Sequence, residues 1–375
     1  MAAHLKGDEQ LLVRLPKWLG DCVMAEPVLS ALAEMWRLRG GMERLTFVGP
    51  KHLLGLWDAR FCNTLEGANL IDSSDASGVR EALSQADVAL LLTGSLRSAF
   101  EVWRAGVPRR IGWNRDLRGV FLTDTMKPML ERGGAPIADT LSLSRAPELR
   151  ETLPTLGVAG RYPRYAPRPF GSTVIELVAG LGIPVRRTKP SFRATDEVQQ
   201  RVRGRLREGG VDPEAGFVVL NAGSRPGSAK GWQSWGELVD LIHPKLPVVV
   251  VGGPGEESSL QGLRSGLVLD APVLDLAELT ALCADCHCFV TADAGARHIA
   301  SAAGAQTLVL FGPTDPRHTA DHLERTLCLS HPVPCGPCHQ EKCTAKDTLA
   351  CFTGIPARRV ATQLDLICEA SSDNV

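Results

Sequence analysis

Five short stretches carry side chains with chemistry to offer, each where the chain turns between apolar runs. The first is Trp18-Leu19-Gly20-Asp21, directly after the apolar run Leu11–Leu15. Gly20 permits a tight turn and Asp21 opens the next helix. An aspartate there can cap the helix by accepting backbone N–H bonds. At the carboxyl end of a strand it can equally serve as a general base. The second is Asn221-Ala222-Gly223-Ser224-Arg225, leading to Lys230-Gly231-Trp232. Small residues let backbone approach a ligand, and Lys230 supplies a point charge suited to phosphate. The plainer alternative is a turn with a solvated lysine. The Walker A spacing is missing, which argues against a P-loop.

The third stretch is Thr291-Ala292-Asp293-Ala294-Gly295-Ala296-Arg297-His298. A strand-to-helix junction of this kind aims N–H groups and the positive dipole end at an anion. The alternative is a helix capped by Asp293 with His298 exposed. The fourth, Gly252-Gly253-Pro254-Gly255-Glu256-Glu257, is not GxGxxG, so a nicotinamide fingerprint is not supported. A carboxylate here can bind ribose hydroxyls or simply belong to the first turn of a helix. The fifth is Cys335-x2-Cys338-x4-Cys343-x7-Cys351. Four thiols this close suit a structural zinc or an iron–sulfur cluster, with reduced thiols or disulfides as the alternative. Cys283, Cys286 and Cys288 adjoin a predicted strand and read as buried fillers. No Asp-x-Asp triplet occurs, so no catalytic metal is expected. Charge on a leaving diphosphate would fall to Lys230, arginines and a helix N-terminus.

These loops need strands and helices to hold them, and the patterning supplies both. Strands are predicted at Leu11–Leu15, Leu45–Val48 and Val88–Leu92, with helices over Ala25–Trp36 and Ser95–Ala105. From Pro136 to Pro190 the chain reads as irregular, and an interdomain connection is placed there. The alternation then resumes: strands at Phe217–Leu220, Pro247–Val251, Cys288–Thr291 and Thr307–Phe311, helices over Ser234–Ile242 and Gly295–Ala303. Ser234 and Glu237 have capping-box spacing. Strands alternating with helices mean an α/β chain with mostly parallel sheets, in which ligands sit at the carboxyl ends of strands.

The chain has 375 residues, long enough for two domains. A near-neutral balance of 41 basic and 42 acidic residues argues against a dedicated nucleic-acid binder. The polar N-terminus lacks a secretion signal and no apolar run reaches 18 residues, so a cytoplasmic protein is expected. In a reducing compartment the 11 cysteines read as thiols or metal ligands.

In this order, the loops resemble the glycosyltransferase family 9 heptosyltransferases over about residues 11 to 365. The marks are Leu-Pro-Lys-Trp-Leu-Gly-Asp (15–21), Lys-Gly-Trp (230–232), Thr-Ala-Asp-Ala-Gly-Ala-Arg-His (291–298) and Leu-Phe-Gly-Pro-Thr (310–314). Ser95-Leu-Arg-Ser-Ala and Ala105–Trp113 are similar to the acceptor-side region of the lipopolysaccharide heptosyltransferase II subgroup. The resemblance implies a GT-B fold: two Rossmann-like domains with parallel sheets facing a central cleft. The domains would be 1–170 for the acceptor and 171–355 for the nucleotide sugar, with a C-terminal helix and tail at 356–375.

It further implies inverting heptose transfer from ADP-L-glycero-D-manno-heptose to a heptosyl-Kdo–lipid A core, with peripheral contact at the inner membrane. Asp21 would be the base. Ser224, Lys230, Glu256 (or Glu257), Asp293, Ala294, Gly295 and His298 would bind donor, and Lys17, Ser95 and Arg97 acceptor. Related sequences more usually carry Ser or Thr where Ala294 stands, so one hydroxyl contact is missing. The alternatives are another nucleotide sugar or acceptor, a metal-binding interaction protein without catalysis, and a nicotinamide oxidoreductase.

Overall fold

The computed structural model describes residues 4–62, 65–114, 117–126, 169–225, 227–260, 263, 266–269, 273–323 and 325–372. Among them, residues up to 126 and from 169 to 191 form one compact unit, and residues from 192 onward form another.

The first unit runs β1 (Leu11–Arg14), α1 (Leu19–Met24), α2 (Glu26–Leu38), β2 (Leu45–Gly49), α3 (Lys51–Leu54), β3 (Asn69–Asp72), α4 (Ala76–Gln85), β4 (Val88–Leu91), α5 (Leu96–Arg104), β5 (Arg109–Trp113) and β6 (Asp124–Met126), then α6 (Phe170–Ala179). Its six strands pair in the order β3-β2-β1-β4-β5-β6, all parallel.

The second unit runs α7 (Asp196–Glu208), β7 (Val218–Asn221), α8 (Trp235–Ile242), β8 (Val248–Val251), α9 (Glu257–Leu260), β9 (Leu267–Val268), α10 (Leu276–Asp285), β10 (Cys288–Ala292), α11 (Gly295–Ala303), β11 (Thr307–Phe311), β12 (Thr326–Ser330), α12 (Ala350–Thr353) and α13 (Ala357–Ser372). Its order is β12-β11-β10-β7-β8-β9, again all parallel. Sheets covered by helices on both faces demand strands that are apolar throughout. β7 and β8 meet that demand with every residue buried.

In each unit the chain winds outward on one side of its first strand and then returns to the other. The direction reverses between β1 and β4, and again between β7 and β10. The carboxyl ends at such a reversal leave a crevice that crossover helices do not fill, which is where open α/β sheets bind ligands. The turns singled out from sequence leave these four strands, with the Gly252–Glu257 turn following β8.

Three expectations are corrected. First, the connector is not irregular throughout: α6 forms over Phe170–Ala179 and buries Val174, Leu177 and Val178. It packs against α1 and α2, so it groups with the first unit although the expected boundary falls at 170/171. The rest of the expected connector, up to residue 168, lies outside the described residues. Second, Ser234 makes no side-chain cap bond. Its φ of -91° and ψ of 24° lie outside the extended conformation an N-cap needs. The capping box forms instead at Asp275 and Glu278, ahead of α10. Third, Asp21 does not cap a helix. The cap position of α1 is Trp18, and Asp21 lies in the first turn.

Glu26 ties the connector to the first unit. Its buried carboxylate accepts from Arg187 at 2.6 and 2.7 Å, from the Ser191 amide at 3.1 Å and from the Ser30 hydroxyl. Arg187 is partly solvated and can be rehydrated, so Glu26→Ala is expected to cost roughly 1–3 kcal/mol rather than the full penalty of a stranded buried charge. Trypsin cleavage after Arg186 or Arg187 should accelerate in the same variant. An unchanged urea midpoint with unchanged cleavage would show that other contacts hold this segment.

Candidate functional site

The second unit assembles a charged cluster between β7 and β10. Asn221 ends β7 and donates from Nδ2 to Thr291 Oγ1 on β10 at 2.9 Å, a buried bond that joins the two strands at the reversal. Asp293 follows β10. Its Oδ1 accepts from Arg297 Nε at 2.9 Å, one turn along α11, and its Oδ2 lies 3.9 Å from Lys230 Nζ. Lys230 Nζ also donates to the Asp293 carbonyl at 2.7 Å. Arg297 is fully buried, donates to the Thr319 carbonyl at 3.3 Å and lies 5.7 Å from the centre of the Phe311 ring. Burial alone would raise the Asp293 pKa, but the charges of Arg297 and Lys230 outweigh it and hold the group at about 2. Asp293 is thus an anion at neutral pH.

This arrangement excludes the capped-helix reading of the third stretch. The cap position of α11 is Ala294, which has no acceptor, and no side-chain cap bond is made. The carboxylate one residue earlier is turned to Arg297 and Lys230. The first-turn amides of α11, with the dipole's positive end, therefore lie beside a lysine ammonium. His298 is buried rather than exposed. Gly295 starts the helix, and Gly304 ends it in the left-handed conformation (φ 92°) that glycine favours.

The neighbouring turns close on this cluster. Glu256 accepts from the Gly253 amide at 2.7 Å. A Cβ at Gly223 would come within 2.2 Å of Glu256 Oε2 and 2.8 Å of the Gly252 Cα, so only glycine allows the turns after β7 and β8 to meet. Glu257 instead bonds the Gly255 amide at 3.0 Å. The Ser224 amide donates to Ser259 Oγ at 3.1 Å.

Sequence reasoning missed several partners here. Arg297, four residues after Asp293 on one helix, had a readable i,i+4 signal. Asp315, His318 and His339 had none, because they converge only in the fold. Their ligand atoms lie within 4.8 Å of one another, and they are the group among the described residues that meets this closeness. Yet both oxygens of Asp315 are already engaged by Arg317, from Nε at 2.9 Å and Nη2 at 2.5 Å. Burial lowers the His339 pKa, and Asp315 and Asp293 partly offset that.

The four cysteines gather without closing. Burial first, and then Cys338, Cys335 and Cys343, push the Cys351 thiol up to about 11. The Leu349 amide donates to Cys343 Sγ at 3.3 Å. No three of the sulfurs satisfy the 4.8 Å closeness found at Asp315. The segment is nonetheless laced to the charged cluster. The Ala229 amide, next to Lys230, donates to the Glu341 carbonyl at 2.9 Å, and the His339 amide donates to Pro313 at 2.8 Å.

In the first unit, Asp21 lies half-buried after β1, and Lys17 before it is exposed. Ser95 follows β4, caps α5 and accepts from the Ser98 amide at 3.4 Å. The two junctions are linked by Arg14, at the end of β1, whose Nη2 lies 3.0 Å from Glu101 of α5. Arg97 is exposed on the same helix and near enough to Arg14 to disfavour its charge.

Residues 172–349 match the model for glycosyltransferase family 9 (heptosyltransferase). Over that segment, just under half of the chain, the sequence is similar to glycosyltransferase family 9. It is 35% identical over 177 residues to lipopolysaccharide heptosyltransferase 1 of Pseudomonas aeruginosa, covering 41% of this chain and 49% of the relative. Against that relative, then, the chain spans about half the length. It is 22% identical over 339 residues to lipopolysaccharide heptosyltransferase 2 of Escherichia coli, covering 83% and 84% of the two chains. The solved structure of the E. coli ADP-heptose LPS heptosyltransferase II superposes with a TM-score of 0.63 at 20% identity, covering 96% of this chain and 99% of that one. The two Rossmann-like units are those of the GT-B fold. The family match covers the second unit's charged cluster, including Lys230, Asp293 and His298.

Asp293 is expected to contribute stability that depends on pH. Its pKa of about 2 in the fold lies below the ordinary carboxylate value near 4. Its contribution is therefore complete above about pH 4 and is lost as pH falls toward 2. Asp293→Asn should cost roughly 2–4 kcal/mol at pH 7, because Arg297 stays buried without its counter-charge. The gap between wild type and variant in urea unfolding should narrow between about pH 4 and 2. A gap independent of pH would show that the carboxylate is not held ionised.

Proposed function

We propose that the protein transfers heptose from ADP-L-glycero-D-manno-heptose to the heptosyl-Kdo–lipid A core of lipopolysaccharide, inverting the anomeric centre. The observation that carries this reading is the Lys230 ammonium held beside the uncapped first turn of α11. Together they offer a compact positive site at a strand reversal, suited to a nucleoside diphosphate. The family match of the same segment and the heptosyltransferase relatives favour a heptose donor.

In this reading Asp293 does not touch the sugar chemistry directly. It fixes Lys230 and the start of α11 so that both meet the diphosphate. Glu256 takes ribose hydroxyls, while Ser224, Ala294, Gly295 and His298 line the donor. Asp21 accepts the proton of the acceptor hydroxyl, which attacks the anomeric carbon opposite ADP. The C1–O bond to ADP breaks as the new glycosidic bond forms. Lys230 and the α11 amides stabilise the charge that grows on the diphosphate. Lys17, Ser95 and Arg97 position the acceptor, a lipid reached from the cytoplasmic face of the inner membrane. The methyl group of Ala294, where a hydroxyl is usual, favours one second reading: the same reaction with a different nucleotide sugar.

A structural zinc or iron–sulfur centre at Cys335, Cys338, Cys343 and Cys351 belongs to the same proposal. The residues fit in kind and neighbourhood. A tetrathiolate zinc needs sulfurs about 3.8 Å apart, given Zn–S bonds of ~2.3 Å, so loading would draw the thiols together. The centre would supply order rather than reaction chemistry.

Asp21→Asn should leave the melting temperature unchanged and lower turnover about 10²–10⁴-fold. Lys230→Ala should weaken ADP binding by calorimetry. Near-normal turnover in the first, with unchanged affinity in the second, would refute these roles. Transfer should persist in excess EDTA over minutes, and an immediate loss restored by magnesium would assign the leaving-group charge to a metal.

Anaerobically purified protein should hold about one zinc or one cluster per chain. Cys338→Ser should expose the segment to protease and, through the Ala229–Glu341 bond, weaken ADP binding. Metal-free protein with a protease-resistant C-terminus would remove the metal from this reading.

A further inference from the structure

The outer face of α5 carries an apolar stripe that no step above uses. The helix turns Ser98, Ala99 and Val102 inward. Leu96, Phe100 and Trp103, spaced i, i+4 and i+7, form a second stripe in solvent at 47%, 41% and 47% exposure. The 3-10 turn Arg118–Phe121 extends it, with Leu117 at 85% and Val120 at 77%. The rings of Phe100, Trp103 and Phe121 pack on one another with centroids 5.3 to 5.6 Å apart. A helix with one buried face normally presents polar residues on the other. Clustered exposed aromatics mark an interaction surface.

The platform is held firmly. Arg118 is buried and donates to the Thr93 carbonyl just past β4, while Arg110 Nε donates to the Phe121 carbonyl at 2.7 Å. Its charge is one-sided. From Ser95 to Asp124 the sequence has six arginines against three acidic residues, in a chain of net charge -1. Glu101 is paired with Arg14 at 3.0 Å and Asp124 with Arg109 at 3.1 Å. Arg97 and Arg104 are exposed on α5 itself.

An apolar centre flanked by guanidinium groups matches one occupant in both respects. A second copy of this chain would set Arg97 and Arg104 against their like. An anionic bilayer takes aromatic and aliphatic side chains into its headgroup boundary and guanidinium groups onto its phosphates. We propose that the face formed by α5 and the turn 118–121 docks on an anionic phospholipid bilayer. The inference deepens the transferase reading and rests on its lipid-borne acceptor. Ser95 and Arg97, the proposed acceptor contacts, lie at the first turn of the docking helix, so docking would present that end to sugars projecting from the membrane.

The test is cosedimentation of the full chain with phosphatidylcholine vesicles and with vesicles that also contain phosphatidylglycerol. Binding should require the anionic lipid and weaken with added salt. The exposed pair Phe100→Ser with Trp103→Ser should lower vesicle affinity about tenfold or more, and Arg104→Gln about fivefold. Brominated lipid should quench tryptophan fluorescence in wild type and much less in Trp103→Phe. Transfer to a delipidated, water-soluble heptosyl acceptor should be unchanged in the Phe100/Trp103 variant. Absence of wild-type binding, or equal binding by the variants, overturns the proposal. So does a dimer that the paired variant converts to monomer while vesicle binding is unchanged. Loss of transfer to every heptosyl acceptor would instead sink the transferase reading and leave vesicle binding to stand by itself.

Discussion

A carboxylate removed from water has to be met by positive charge, and that requirement organises the second unit. Asp293 is withdrawn at the end of β10 and answered by Arg297 from within α11 and by Lys230 from the turn after β7. Satisfying one buried anion thus draws together a strand end, a helix start and a loop that are some 60 residues apart in the chain. The same geometry leaves the α11 amides and the lysine beside one another. Positive potential at this place follows from the folding constraint, and anion binding becomes its natural use.

The parallel sheets explain why the constraint falls where it does. A parallel strand must be followed by a crossover, so loops of one kind collect at carboxyl ends. Where the winding reverses, neighbouring crossovers leave in opposite directions and part from one another. Both units place the residues of the proposed reaction at that reversal, Asp21 and Ser95 in the first and Lys230 and Asp293 in the second. The location of these residues is therefore inherited from topology. Ala294 and Glu256, assigned to the donor in the proposed reading, sit on the margins of turns whose backbone is already fixed.

Support for these turns comes from segments remote in sequence. The cysteine-bearing stretch bonds the residue beside Lys230, and Trp232, two residues further, donates to the Ile355 carbonyl at 2.9 Å. The turn that carries Lys230 is braced by the C-terminal part of its unit. In the first unit, Glu26 plays a comparable part by holding residues 187 and 191. The aromatic face on α5 differs in kind: its backbone is secured by Arg110 and Arg118, while its side chains have no interior to enter.

Seven strands were legible in the sequence to within a residue or so, since buried parallel strands need unbroken apolar runs; the outer strands β3, β5, β6, β9 and β12 were not, because outer positions are shorter, more polar or less sharply bounded. The candidate residues Asp21, Asp293 and Gly295 could be picked out because they closely follow such runs, and Lys230 because it lies in the turn after one. Also beyond the sequence were choices between partners. Local spacing could not say whether Asp293 would cap α11 or bind Arg297 and Lys230, because the competing acceptors differ only by long-range burial. Ser234 and Glu237 had the spacing of a capping box, but spacing does not fix φ and ψ. The closeness of Asp315, His318 and His339, the lacing of Glu341 to Ala229 and the docking of α6 on α1 and α2 arise between distant segments. Sequence determines which residues can bury or bond. Tertiary structure decides which of them meet, because burial raises the cost of every unmet charge and so selects among pairings that are nearly equal in water.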